Sequence, residues 1–236
     1  MKQLIKKLLR EGLLDEAAFT TLDLPKGTGL FIKPNNSGVT LTLYNPKNKE
    51  VYATITFISN KLSAPYHYVS GVAAIKGYGP LIYELAFMYV DSINSRLMPS
   101  RDGDIRGEAF NVWEKMYDRI DIDKTEVDIK DDNFRFDIIT GEDLFTTEKE
   151  RIEWFNQSSE DEQYTLKVFN SAYCKTGSKE YAELIKVAKK YPEEIHDKAS
   201  KLGDELWEKN YNFTTFFKSL YIDETLNQKI AKRRVV

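Results

Sequence analysis

The sequence predicts an α+β fold: a mixed, mostly antiparallel central sheet flanked by helices, with a C-terminal helical extension. Three observations predict it. Segments with two-residue alternation follow one another at 39–44, 51–57 and 66–75. Helical spacing takes over from Leu81. From about residue 148 the pattern is helical and charged. The expected division is a sheet domain over 1–147, including an N-terminal helix, and a helical extension over 148–236 packing on it.

The elements follow in order. Leu4, Ile5, Leu8, Leu9 and Leu13 recur at helical spacing, which predicts a short amphipathic helix over 2–14. Pro25, Gly27 and Gly29 break the chain. Residues 30–33 read as a strand and Asn35-Asn36-Ser37-Gly38 as a turn. Strands 39–44 and 51–57 flank a hairpin connection, Asn45-Pro46-Lys47-Asn48-Lys49. A third long strand spans 66–75, and these three form an antiparallel meander. After Lys76-Gly77-Tyr78-Gly79-Pro80 comes a strong helix with a stripe of Leu81, Leu85, Met88, Tyr89 and Ile93. Residues 96–99 are a short strand, and 100–104 a polar loop. A second helix spans 108–119, with Phe110, Val112, Trp113, Met116 and Tyr117 as its apolar positions. Residues 121–150 hold 11 acidic and 4 basic residues around two expected strands, 126–129 and 134–139. Helices are expected at 148–156, 159–169, 179–190, 193–209 and 223–232.

Composition narrows the function. The 34 basic and 37 acidic side chains leave a net charge of -3, against a dedicated nucleic-acid binder. One cysteine, Cys174, excludes an internal disulfide framework, and two histidines exclude a His-rich metal site. No metal is expected. No apolar run approaches the ~20 residues of a membrane span. The start MKQLIKKLLREGLL lacks a small-residue cleavage site, so no signal peptide is expected and the setting is cytoplasmic. Aromatic residues make up 13%, more than a core of this size needs.

The most informative stretch runs from Val72 to Leu85, where a strand feeds a glycine-bearing turn that opens a helix. Helix N-termini leave backbone N–H groups unpaired and carry a positive dipole end, which suits a phosphate. Glycines let the backbone approach a pyrophosphate closely. Pro80 fits the first helical turn. A tight strand-to-helix turn with no ligand explains the same two glycines. No Gly-Lys-Ser/Thr follows, which excludes a Walker A loop, and Ile82 occupies the third glycine position of a dinucleotide fingerprint.

The order of elements resembles the GNAT-type N-acetyltransferase superfamily. Gly77 and Gly79 match the two small positions of its pyrophosphate motif, with Lys76 adjacent; Ala74 stands where the family has a basic residue or glutamine. From Ala109 to Met116, AFNVWEKM is similar to its second motif. Gly-Tyr-Gly-Pro-Leu-x-Tyr-x-Leu, Pro-Ser-Arg-x-Gly and Ala-x-x-Val-Trp-x-x-x-Tyr-x-Arg look more narrowly like a phage-associated acetyltransferase-like subgroup, as does Phe169-Asn170-Ser171-Ala172-Tyr173. The resemblance covers about residues 2–175. It implies acetyl-coenzyme A as co-substrate and an amine acceptor. It implies a cofactor site of Val72, Ala74, Ile75, Lys76, Gly77, Tyr78, Gly79 and Leu81, with a polarising backbone N–H near 72–74. A phage origin would place the protein in host cytoplasm or virion.

The resemblance puts the proton donor to the leaving thiolate at Trp113, where the family has tyrosine, and an indole cannot serve. Tyr117, at i+4 on the same helix face, is the candidate substitute, against the plainer reading of a core or rim tyrosine. His67 is the candidate base, or a hydrogen-bonded structural histidine. Tyr78, Tyr83 and Tyr89, with Trp113 and Tyr117 opposite, would line a coenzyme cleft. Arg101 is read either as a contact for a phosphate or an acidic substrate or as part of a solvated loop. Asp121 to Asp132 starts like a calcium loop but has Glu126 where glycine is required. In the extension, Phe213, Phe216, Phe217, Leu220 and Tyr221 form an aromatic patch, either packed on the domain or open to a protein partner. The alternative to an acetyltransferase is an inactive structural or interaction protein on the same fold.

Overall fold

The computed structural model describes residues 21–59, 66–100, 107–127, 160–188 and 190–210, with helical positions 149, 153, 156 and 157 between. The strands are β1 (Gly29–Asn35), β2 (Gly38–Asn45), β3 (Glu50–Ser59), β4 (Tyr66–Ala74), β5 (Arg96–Met98), β6 (Asp123–Glu126) and β7 (Ser171–Cys174). The helices are α1 (Gly79–Ser92), α2 (Gly107–Asp118), α3 (Glu160–Phe169), α4 (Lys179–Val187) and α5 (Glu194–Asn210), after a single 3-10 turn at Thr21–Asp23. The strands form one sheet in the order β1-β2-β3-β4-β5-β7-β6. Only β4 and β5 pair in parallel. The expected meander is thus four antiparallel strands, with β1 added at its edge.

Alternation assigns the two faces. Leu41 pairs Ile55 and Leu43 pairs Ala53; these four residues are fully buried in the main core. Thr40 and Thr42 face Thr56 and Thr54 on the other side, with hydroxyls 3.0 and 3.1 Å apart. A bulge at Leu43/Tyr44 brings Val51 opposite Tyr44, in a second cluster with Phe31 and Ile195.

α1 is buried at eight positions, from Leu81 to Val90. A helix apolar nearly all round lies between layers: the sheet covers one side, and Trp113 of α2 and Tyr173 of β7 pack on its Phe87. Ile93, expected in its stripe, is instead the C-cap and 44% exposed.

Two expectations are corrected. The acidic segment's strand is β6 at Asp123–Glu126, and its partner is β7; the expected strand at 134–139 lies outside the described residues. β7 lies within the expected extension yet sits between β5 and β6, with Tyr173 fully buried. The sheet therefore runs through the division drawn at 147/148. Beyond β7, α4 packs on β1 and α5 crosses β2, β3 and β4. The helix at 2–14, the loop at 101–104, the segment 128–148 and the aromatic patch at 213–221 lie outside the described residues.

Candidate functional site

β4 ends where the antiparallel ladder places Ala74 opposite Ala53. The next residues, Ile75-Lys76-Gly77-Tyr78, form a β-turn closed by the Tyr78 N–H donating to the Ile75 carbonyl at 3.0 Å. Gly77 has φ +90, the left-handed conformation that a turn of this kind requires at its third position. Tyr78 is the N-cap of α1 and gives no side-chain cap. Pro80 lies in the first turn, which has no acidic residue. The N–H groups of Gly79 and Leu81 belong to that turn, whose donors have no intrahelical acceptor. A Cβ on Gly79 would meet nothing within 4 Å, so the backbone there opens on free space.

Among the described residues, no strand pairs the outer edge of β4 beside this turn. β5 pairs only with Tyr66, His67 and Tyr68 of β4. Beyond them Ser70, Gly71 and Val72 are exposed. A bulge lies here too: Thr56 faces Gly71 and Phe57 faces Val69, leaving Ser70 as the additional residue. Val72 (37%) and Ile75 (42%) are among the exposed large apolar residues. Strand, turn and helix thus bring together seven expected cofactor residues, Val72, Ala74, Ile75, Lys76, Gly77, Gly79 and Leu81. Tyr78 joins them through its backbone only, because its ring is buried against Tyr52 at 5.1 Å.

The expected catalytic side chains lie elsewhere. His67 is seven residues before Ala74, roughly 20 Å along the strand. Its Nε2 meets the Ser59 hydroxyl at 3.1 Å and its Nδ1 the Ser95 hydroxyl at 2.7 Å. Burial pushes its pKa below the ordinary value. The half-buried Tyr117 is in the last turn of α2, about 15 Å along the helix axis from Gly107. Its ring meets Tyr164 edge-on at 5.6 Å and Lys124 at 5.3 Å. Burial, with Glu126 and Asp118 nearby, raises its pKa.

Of the aromatic residues expected to line a cleft, Tyr78, Tyr83 and Trp113 are core, and Tyr89 and Tyr117 pack half-buried against it. Tyr83 and Trp113 are 2% and 1% exposed. Trp113 is the hub of a cluster with Tyr83, Phe87 and Tyr173 at 5.0–5.7 Å. Tyr89 packs on Phe57. Large flat side chains fill the layer between α1, α2 and β7, which explains the aromatic surplus more simply than a ligand does. Cys174 is buried, and that burial raises its thiol pKa to about 11, so it stays protonated.

Beside the core is a four-charge ring. Arg119 donates to Glu84 at 2.6 Å and to Asp121 at 2.5 and 2.8 Å; Lys175 donates to Glu84 at 2.5 Å and to Asp121 at 2.8 Å. Burial raises the Glu84 carboxyl, but its two cationic partners outweigh that and hold it low. Glu84 is therefore no base. A shallow cleft of about 590 Å³ lies across the sheet at Lys33, Tyr191, Glu194 and His196, away from the turn. Its width says nothing of chemistry, and the turn has the better donors. Among the described residues no group of three or more His, Cys, Asp or Glu could hold a metal ion. No helix among them is long and apolar enough to cross a membrane.

No protein-family model matches this chain, and no curated protein matches it. His67 is the hydrogen-bonded structural histidine of the second expectation; its partners Ser59 and Ser95 are not legible in the sequence, because they are far apart in the chain. The sequence reading missed the bulge at Ser70, which shows only in the pairing with β3.

Proposed function

We propose that the chain binds acetyl-coenzyme A at the turn between β4 and α1 and transfers the acetyl group to an amine. The observation that carries this is the start of α1, with no side-chain cap, entered through Gly77 and open at Gly79, beside an edge of β4 at 72–74 that no described strand pairs. The N–H groups of Gly79 and Leu81 hold pyrophosphate oxygens, aided by the helix dipole. The free edge at 72–74 offers a backbone N–H to polarise a carbonyl. Bound acetyl-coenzyme A supplies an acetyl carbon activated for attack by a neutral amine. The N–C bond forms as the C–S bond breaks, and the proton lost by the amine reaches the departing sulfur through solvent, because Tyr117 packs against Lys124 of β6, three strands from β4. The order of elements supports the GNAT resemblance: antiparallel strands, phosphate turn, helix, short parallel strand, helix and final antiparallel pair.

A second reading has an observation of its own. Trp113 takes the family's proton-donor position and is buried as a core hub, while both ring nitrogens of His67 are held by hydroxyls. A protein that keeps the fold and has lost transfer, in a structural or interaction role such as a phage or virion component, fits these residues.

Calorimetric titration with acetyl-coenzyme A, and thiol release over a panel of amines, separate the two. Binding with turnover supports the transferase. Binding without turnover supports the second reading. No binding, with Gly79→Trp indistinguishable from the wild type, sinks the transferase.

A further inference from the structure

A second turn of the same make stands on the same rim of the sheet. Pro25-Lys26-Gly27-Thr28 is closed by the Thr28 N–H donating to the Pro25 carbonyl at 3.0 Å, and Gly27 has φ +96. It repeats Ile75-Lys76-Gly77-Tyr78: a Lys-Gly pair at the centre, with glycine left-handed. The register Leu30–Leu43–Ala53–Ala74 runs straight across β1 to β4, so both turns and the β2–β3 hairpin project from one end.

A buried amide fixes this corner. Asn45, 2% exposed, donates to the Thr28 hydroxyl at 3.2 Å and to the Lys26 carbonyl at 3.5 Å, and its side-chain oxygen accepts the Lys47 N–H at 2.9 Å. It ties the lysine-bearing turn to the lysine-bearing hairpin. Lys47 lies across Gly27, where an added Cβ would meet its Cε at 3.4 Å. Lys26 and Lys47 are both exposed. The hairpin is in turn anchored beside the α1 N-cap: Asn48 donates to the Tyr52 hydroxyl at 2.8 Å, and the Tyr52 ring packs on Tyr78. β2 is two strand spacings from β4, about 10 Å, close to the screening length of exposed charges. Asp23 and Glu50 also face Tyr78, and Glu50 is turned onto Asn48 and Tyr52.

Resting on the coenzyme reading above, we infer that Lys26 and Lys47 receive the 3′-phosphate of coenzyme A. A phosphate monoester carries close to two negative charges and suits paired ammonium groups. The site separates coenzyme A from dephospho-coenzyme A, which has the same pyrophosphate and pantetheine.

The test is calorimetry with both ligands on the full chain and on Lys26→Gln/Lys47→Gln, with thermal melting as the fold control. The wild type is expected to prefer coenzyme A by roughly 5- to 30-fold, from two exposed charge pairs. The double variant is expected to lose that preference while binding dephospho-coenzyme A as before. Added salt narrows the wild-type preference. Equal binding of the two ligands by the wild type, or a preference that survives in the variant, overturns the inference and leaves the coenzyme site standing. Failure to bind either ligand overturns both.

Discussion

Two glycines two positions apart have opposite requirements. Gly77 is left-handed, so Gly77→Ala costs about 1–2 kcal/mol and lowers the melting temperature. Gly79 has open space and helical geometry, so Gly79→Ala leaves stability unchanged or raises it by up to about 1 kcal/mol. The same methyl intrudes where phosphate oxygens would sit, so affinity for acetyl-coenzyme A falls. Melting and calorimetry on the pair check both signs. His67 gives a pH signature. Its folded pKa lies below its ordinary 6.5, so the unfolded chain binds more protons between the two values. Its contribution is complete above 6.5 and is lost as pH falls through that window. Denaturant unfolding at pH 5 and 7.5 is expected to show this loss, and His67→Gln to remove that part of the pH dependence.

At the level of elements, α1 is held between the sheet and the Trp113 cluster. Trp113→Ala is expected to cost about 3–5 kcal/mol, as for a large buried aromatic. Trp113→Tyr keeps most of the packing. Tyrosine there, as the GNAT resemblance would have it, is not expected to act as a proton donor, because the position faces the core; thiol release in that variant checks it. The charge ring joins α1 to the ends of α2 and β7. Lys175→Met removes two of its contacts and is expected to cost on the order of 1 kcal/mol, since the ring is partly exposed. High salt shrinks that difference. Periodicity made β1 to β4, α1 and α2 legible because each alternates or repeats against one buried face. It missed β7, since Ser171–Cys174 is four residues long, buried at each one and without alternation.

In the whole molecule, the segment after β7 closes the sheet. α4 packs along β1, and Ala188 and Tyr191 lead across that edge to α5. The Tyr44 hydroxyl donates to Glu194 at 2.5 Å, and Ile195 is fully buried against Phe31, Tyr44 and Val51. Ile195→Asp is expected to destabilise the chain by about 3 kcal/mol or more, because it places a charge in that cluster. A free-standing extension would feel no such cost, so chemical unfolding distinguishes the two. By itself the sequence determined the α+β class, most positions of the described elements and the glycine turn before α1, since these rest on local rules: alternation, helical spacing and glycine at a left-handed position. Only the tertiary structure decided that β7 completes the sheet, that Trp113 is core, that two serines clamp His67 and that two Lys-Gly turns share a rim. Each of these depends on residues distant in the chain meeting in space, and no local pattern carries that information.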